Sequence, residues 1–318
     1  MKLLEYYRSG LVEEEHFGFI KFLGRDGIIS VGDDNDGVYF LRSCAKPLQA
    51  SLAIDLGLGL NSEQLAICCG SHAGEEVHLK AVRSVLEKFN ISESLLKCGE
   101  HQPLSSTAQR DLVLNGKPCL QVHNNCSGKH AFMLACCKKM GWDLYSYDEL
   151  EHPLQQMIKQ KVNELCEIDK EYPVTIDGCG VPIFSMPLVN MVRGFVNVFN
   201  LYPQLKEAFI NHPYLIGGEN RLDSAVMRGN PHLACKVGAG GLCIVTNLET
   251  QEGFIVKIAD CDMRARAITV VKCLEDLNWL KTKSETLEAQ ADNHIKTLKG
   301  VVLGEVKPCF ALNTKVPV

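Results

Sequence analysis

Strand-like segments stand at the two ends of this chain, and a long stretch of helical periodicity separates them. Near the N-terminus, FGFIKFL (17–23) and GIISVG (27–32) flank GRDG, the pattern of two strands around a tight turn, and 38–41 can add a short strand. Near the C-terminus, GLCIVTN and GFIVKIAD flank LETQE as a second hairpin, followed by a helical pattern over 262–280. Between them, PLQASLAIDLGL, EEVHLKAVRSVLEKF, GKHAFMLACCKKMG, YDELEHPLQQMIKQKVNELCE and PLVNMVRGFVNVF carry apolar residues near helical spacing. Two hairpins far apart in sequence bury their apolar faces most simply by joining one sheet. The expected fold class is α+β. An antiparallel sheet is built from N- and C-terminal strands (about 1–45 and 230–318) and packed with helices, and a central mainly helical region spans about 46–229. No Pro/Gly/Ser-rich or charged linker interrupts the chain, so 1–318 reads as a single catalytic unit.

With 318 residues, 46% of them hydrophobic, the chain can bury a large core. Its formal net charge of -5 lacks the basic excess of a nucleic-acid or membrane-surface protein. No apolar run reaches the roughly 18 residues of a membrane helix, and MKLLEYYRSGLVEEEH turns polar too early for a signal peptide. The 15 cysteines include the adjacent pairs Cys68-Cys69 and Cys136-Cys137 on apolar stretches, and no C-x-x-C occurs. They read as reduced, buried small hydrophobes in a cytoplasmic protein rather than as a disulfide framework or zinc finger.

The stretch FLRSCAKPLQ (40–49) places Ser43 three residues before Lys46. Proline is tolerated only in a first helical turn, so Pro47 puts the helix start near residues 44–47 and Ser43 at or just before it. Positive helix-terminal potential there favours an oxyanion and disfavours an ammonium on Lys46, which can act as a base only when neutral. The plain alternative is a capping serine on an exposed helix start. A second S-x-x-K, Ser94 to Lys97, has no such proline and reads as a surface pair. Lys236 leads through Val237 and Gly238 toward a C-terminal strand. That matches the idea of the serine β-lactamase signature, in which a later K-T-G accompanies S-x-x-K. A second cation there would help keep Lys46 neutral.

Three further stretches carry polar residues in tight quarters. CCGSHAGEEVH (68–78) surrounds Ser71 and His72 with small residues, and Ser71 can also serve as a cap for a helix starting near Glu75. HNNCSGKHAFMLACC (123–137) sets Asn125, Cys126, Lys129 and His130 before an apolar helix. Polar groups of that density are costly if buried without partners, so they suggest a polar pocket or a metal site. TIDGCGVP (175–182) puts Asp177 and Cys179 in a glycine-rich bend between apolar segments.

Together YRSGLVEEEHFG, RSCAKPLQA, CCGSHAGEEVH, CGEHQP, NNCSGKHAFMLACC, HPLQ, DGCGVP, GGENRLDS, KVGAGG and VKIADCDMRARA resemble, in order, the rhizobial-type (class 3, thermolabile) bacterial L-asparaginases. The departures are Phe132, the GAGG segment and Cys261, none at a serine–lysine position. The resemblance implies a serine β-lactamase/glutaminase-like fold and hydrolysis of L-asparagine to L-aspartate and ammonia. It implies two catalytic pairs, Ser43 with Lys46 and Ser71 with Lys236. It also implies a zinc ion on Cys126, Lys129 and Cys179, with His72, Asn125, His130 and Asp177 lining or positioning substrate, and a homodimer. A small-molecule substrate is expected, with no nucleic acid and no membrane. Either Ser43 or Ser71 can be the attacking group. A glutaminase would use the same machinery with a pocket one methylene longer. A penicillin-recognising acylase would leave the cysteine–lysine set unexplained, and a zinc-dependent amino-acid sensor would have no use for two serine–lysine pairs.

Overall fold

A computed structural model describes residues 1–35 and 37–312. Its strands are β1 (Lys2–Arg8), β2 (Leu11–Gly24), β3 (Gly27–Val31), β4 (Val38–Phe40), β5 (Val174–Ile176), β6 (Pro182–Pro187), β7 (Leu233–Gly238), β8 (Leu242–Asn247), β9 (Glu252–Ile258), β10 (His294–Lys296) and β11 (Val302–Pro308). The helices are α1 (Lys46–Asp55), α2 (Ser62–Cys69), α3 (Glu76–Lys88), α4 (Ser106–Leu114), α5 (Ser127–Met140), α6 (Pro153–Leu165), α7 (Leu188–Leu201), α8 (Pro203–Asn211), α9 (Pro213–Ile216), α10 (Leu222–Met227), α11 (Met263–Asp276) and α12 (Glu285–Gln290).

The two ends of the chain meet in one antiparallel sheet, in the order β10-β11-β1-β2-β9-β8-β7, with β3 paired to β2. Strand β2, 14 residues long, takes β1 along its first half and β3 along its second, while β9 pairs with Gly18 to Leu23. Ser9 and Gly10, both at positive φ, close the β1–β2 hairpin, the geometry that matches the twist of paired strands. Helices α7 and α11 both pack on β8 and β9, and every residue of β7 and β8 is buried. Strands covered on both faces lose the alternation of a half-exposed sheet and read as near-continuous apolar runs.

The stretch 46–229 is not purely helical. β5 and β6 form a hairpin inside it, and β6 pairs with β4 in a separate three-stranded sheet, β4-β6-β5. The middle is still mainly helical, as expected; β5 is three residues long, too short to show periodicity. The helix expected over 262–280 ends at Asp276. Ser71 caps nothing; Glu75 is the N-cap of α3.

Helix α5 lies in the middle of the molecule, with Ser127 through Cys137 all buried. A helix apolar all round belongs in a core, and this one carries Lys129 and His130 in with it. Gly128 lets it approach α2: a Cβ there would stand 2.2 Å from the Ile67 carbonyl oxygen. All 15 cysteines are free, and among the described residues no helix is long and apolar enough to cross a membrane. Gly128→Ala is expected to lower the unfolding midpoint in urea, by about 1–3 kcal/mol of stability. An unchanged midpoint would mean that α5 does not sit this close to α2.

Candidate active site

A 3-10 turn, Arg42–Ala45, runs directly into α1, with Pro47 in the first helical turn. Arg42 opens the turn at φ 50, a conformation non-glycine residues seldom adopt. Its Nε donates to Asp177 Oδ1 at 2.8 Å, which ties the turn to the β5–β6 hairpin. Cys44 N–H bonds to the Leu41 carbonyl, but neither Arg42 nor Ser43 N–H finds a backbone acceptor among the described residues. Successive free N–H groups at a turn of this kind form a concavity suited to an anion. Ser43 is half-buried.

Among the described residues no hydrogen bond joins Lys46 to Ser43. Its Nζ donates to the Gly70 carbonyl at 2.5 Å and the Asn125 carbonyl at 3.1 Å, and stands 3.1 Å from Ser71 Oγ. Lys236, in the middle of β7, reaches the same oxygen from the other side. Its Nζ lies 3.0 Å from Ser71 Oγ, 3.1 Å from Asp223 Oδ2 and 3.0 Å from the Val237 carbonyl. The sequence suggested two separate serine–lysine pairs; the structure brings both lysines onto Ser71. Ser71 and both lysines are buried. Burial, with Lys236 and Lys129 adding to it against the nearby Cys126, holds Lys46 below the ordinary lysine value. The Ser71 N–H is already bonded to the Ile216 carbonyl at 2.8 Å, so it is not free to hold an oxyanion.

Asp223 went unremarked in the sequence. It belongs to α10, all six of whose residues are buried. A carboxylate that deep normally needs a cation, and an aspartate inside LDSAVM was the available signal. Burial opposes its ionisation, but Lys236 and then Arg221 hold its carboxyl below the usual range.

The second cluster lies beside the first. Lys129 Nζ stands 2.9 Å from Cys179 Sγ, and Cys126 Sγ stands 3.0 Å from Asn125 Oδ1. Cys179, then Lys46 and Lys129, draw Cys126 toward the thiolate against its burial, while Cys126 and burial suppress the ionisation of Cys179. Although burial works the other way, Lys129 and Arg42 hold Asp177 below the normal carboxylate range. Among the described residues no three His, Cys, Asp or Glu side chains gather around a metal position. The Cys126–Cys179 pair becomes a three-donor set only through the Lys129 amine. Two sulfurs and a nitrogen, buried together, suit a borderline-soft divalent ion such as zinc.

The remaining candidates are placed as follows. Asn125 joins the two clusters, its carbonyl facing Lys46 and its side chain facing Cys126. His72 is fully buried. Its Nδ1 accepts from Gly74 N–H, so Nε2 carries the proton and donates to Ser127 Oγ at 2.9 Å. Burial, reinforced by His78 and Lys46, keeps it neutral. His130 is also fully buried. Its Nδ1 lies 2.7 Å from the Tyr147 hydroxyl, and its Nε2 has no partner. Ser94 and Lys97 lie apart from all of this, Lys97 binding Asp148 at the surface.

The model of one family, L-asparaginase II, matches residues 4–308. The chain belongs to the L-asparaginase II family. Like the family, it is an amidohydrolase acting on a small molecule. A stretch of 98 residues is 31% identical to a basic phospholipase A2 homolog of Trimeresurus stejnegeri, covering 30% of this chain and 68% of that protein. This local likeness covers far less of the chain than the family model does. A solved β-lactamase from Mycobacterium bovis is 14% identical, over 86% of this chain and 92% of that one, with a TM-score of 0.37.

Within this L-asparaginase II site, both nitrogens of His72 are occupied by protein groups. His72→Leu is therefore expected to lower the thermal midpoint, in line with about 1–3 kcal/mol for stranding a buried partner, while KM stays near wild type. A raised KM at unchanged stability would instead mean that His72 touches substrate.

Proposed function

We propose that this protein hydrolyses the side-chain amide of L-asparagine to L-aspartate and ammonia through an acyl-enzyme on Ser43. The observation that carries the reading is the convergence of two buried lysine amines on Ser71 Oγ, at 3.1 and 3.0 Å, with Ser43 the more exposed of the two serines. Ser43 has the free backbone N–H groups at its turn and the greater exposure, which favours it as the attacking group. Ser71, with its N–H used and its oxygen shared by two amines, suits a proton relay.

As Ser43 Oγ attacks the amide carbon, its proton passes to the Ser71 oxygen while the Ser71 proton passes to neutral Lys46, and the N–H groups of Arg42 and Ser43 receive the oxyanion. Lys46, now an ammonium, returns its proton through the Ser71 hydroxyl to the amide nitrogen. The C–N bond breaks, ammonia leaves, and Ser43 carries an aspartyl ester. Water attacks the ester with Lys46 again as base, aspartate departs, and Ser43 recovers its proton. Cys126, Lys129 and Cys179 would hold a zinc ion, with Asp177 beside them. When bound, the ion supplies positive charge for orienting the substrate's amino or carboxylate end, and Lys129 must then be neutral.

Ammonia release from asparagine is the deciding assay, with glutamine as the comparison. Ser43→Ala is expected to abolish turnover, by about 10⁶-fold if it behaves like other nucleophile knockouts. Ser71→Ala is expected to cost about 10²–10⁴-fold, the range for a proton-transfer group. Unchanged turnover in Ser43→Ala would end the assignment. Activity should rise with pH through the lowered Lys46 value, because the base works only unprotonated; a rate independent of pH in that range would remove Lys46 from the role. Zinc content measured by atomic emission should be stoichiometric in the wild type and lost in Lys129→Met, and equal content in both would exclude Lys129 as a ligand.

A further inference from the structure

We propose that Asp223 is a positioning residue that makes the two lysines on Ser71 unequal, holding Lys236 as an ammonium so that the Ser71 hydroxyl proton points at Lys46. This deepens the serine–lysine reading above and rests on it.

The partners of the two amines differ in charge. Lys236 Nζ has three acceptors, Ser71 Oγ, Asp223 Oδ2 and the Val237 carbonyl. Three acceptors match the three N–H bonds of an ammonium, and one acceptor is a carboxylate. Lys46 Nζ has two carbonyl acceptors, Gly70 and Asn125, and then Ser71 Oγ. A neutral amine has two N–H bonds and one lone pair. The two carbonyls take the N–H bonds, and the lone pair is left facing Ser71. The hydroxyl can then accept from Lys236 and donate to Lys46, which satisfies all three groups. The reverse assignment fills the same number of hydrogen bonds, but it takes the ammonium away from the Asp223 carboxylate and sets it among neutral carbonyls, so the carboxylate decides between the two.

The surroundings support the same split. The ionisable groups around Lys236 are Asp223 from α10, Lys46 from α1, Cys44 from the 3-10 turn, Cys69 from α2 and its own neighbour Cys235. Burial pushes the Cys44 and Cys69 thiols up to about 12, and Cys235 up as well, so these sulfurs stay uncharged. The negative charge in this set comes from Asp223. Lys46 has no carboxylate among its hydrogen-bond partners. Asp223 is itself tightly seated: its Oδ1 has no partner, and a Cβ on Gly217 would stand 2.5 Å from that atom. The glycine leaves the room that lets the carboxylate turn Oδ2 to Lys236.

The test uses the full-length protein. Asp223→Asn keeps the shape and removes the charge. It is expected to lower kcat for asparagine by about 10²-fold or more and to move the alkaline limb of the pH–rate profile to lower pH, while Asp223→Glu recovers part of both. A purely structural aspartate would lower the folded fraction and leave the limb of the surviving enzyme in place, which overturns the proposal. Thermal unfolding of Lys236→Met, Asp223→Asn and the double variant needs no turnover. The double variant is expected to unfold at a higher temperature than Lys236→Met alone, since it no longer buries a lone carboxylate; equal or additive losses would overturn the pairing. If the wild type releases no ammonia from asparagine, the reaction assignment fails, and this unfolding cycle still decides the pairing.

Discussion

Two lysine amines within about 3 Å of one hydroxyl oxygen, in the core of a protein, is the arrangement on which the rest of the site turns. Two ammonium ions that close in a low-dielectric interior would repel strongly. The arrangement can persist only if a counter-charge stabilises one amine and the other gives up its proton. The fold supplies the first condition through α10 and Asp223, and favours the second by burying Lys46 beside Lys236 and Lys129. What would be a defect in an ordinary core here lowers the proton affinity of an amine beside a hydroxyl.

Holding that geometry explains why the chain closes its sheet from both ends. Lys236 sits mid-strand in β7, buried on all sides, and cannot drift as a loop lysine would. The 3-10 turn carrying Ser43 packs on β7, and Cys44 Sγ reaches the Lys236 carbonyl at 3.4 Å. Ser71 follows α2 and is pinned through its N–H to the segment just ahead of α10. Groups from residues 42 to 236 therefore meet at one point, each on or next to a regular element. Positions of that kind are held more closely than side chains on free loops.

The architecture was legible wherever periodicity is long. The β2–β3 and β8–β9 hairpins, and α1, α3, α5, α6 and α7, follow apolar spacing that a reader of the sequence can see, whereas β1 does not. The strands β5 and β6 were not visible, because three to six residues beside a DGCG turn carry no period. The serines and lysines of the site were legible one by one, but not their pairing. Spacing in RSCAKP places Lys46 on the same side of a helix as Ser43, yet the chain enters α1 from a turn at positive φ, and the long side chain reaches across to Ser71. Pairing of this kind depends on rotamers and on which carbonyls lie within reach. Asp223 was hidden for the opposite reason: one acid in a short helix looks like an N-terminal charge until its burial is known.

The two polar clusters are not independent, and Asn125 is where they join. Its carbonyl takes an N–H of Lys46, and its side-chain oxygen meets the Cys126 thiol one residue along. Asn124 fixes this loop from behind, accepting from Cys126 N–H and donating to the Cys98 and Gly99 carbonyls. A shift of the Cys126 side of the loop would thus move the carbonyl that accepts from Lys46. The dense polar stretch HNNCSGKH is explained by this double duty. It enters the core at the head of an all-buried helix, and its asparagines convert a costly run of polar groups into a bracket between a basic centre and a thiol–amine centre.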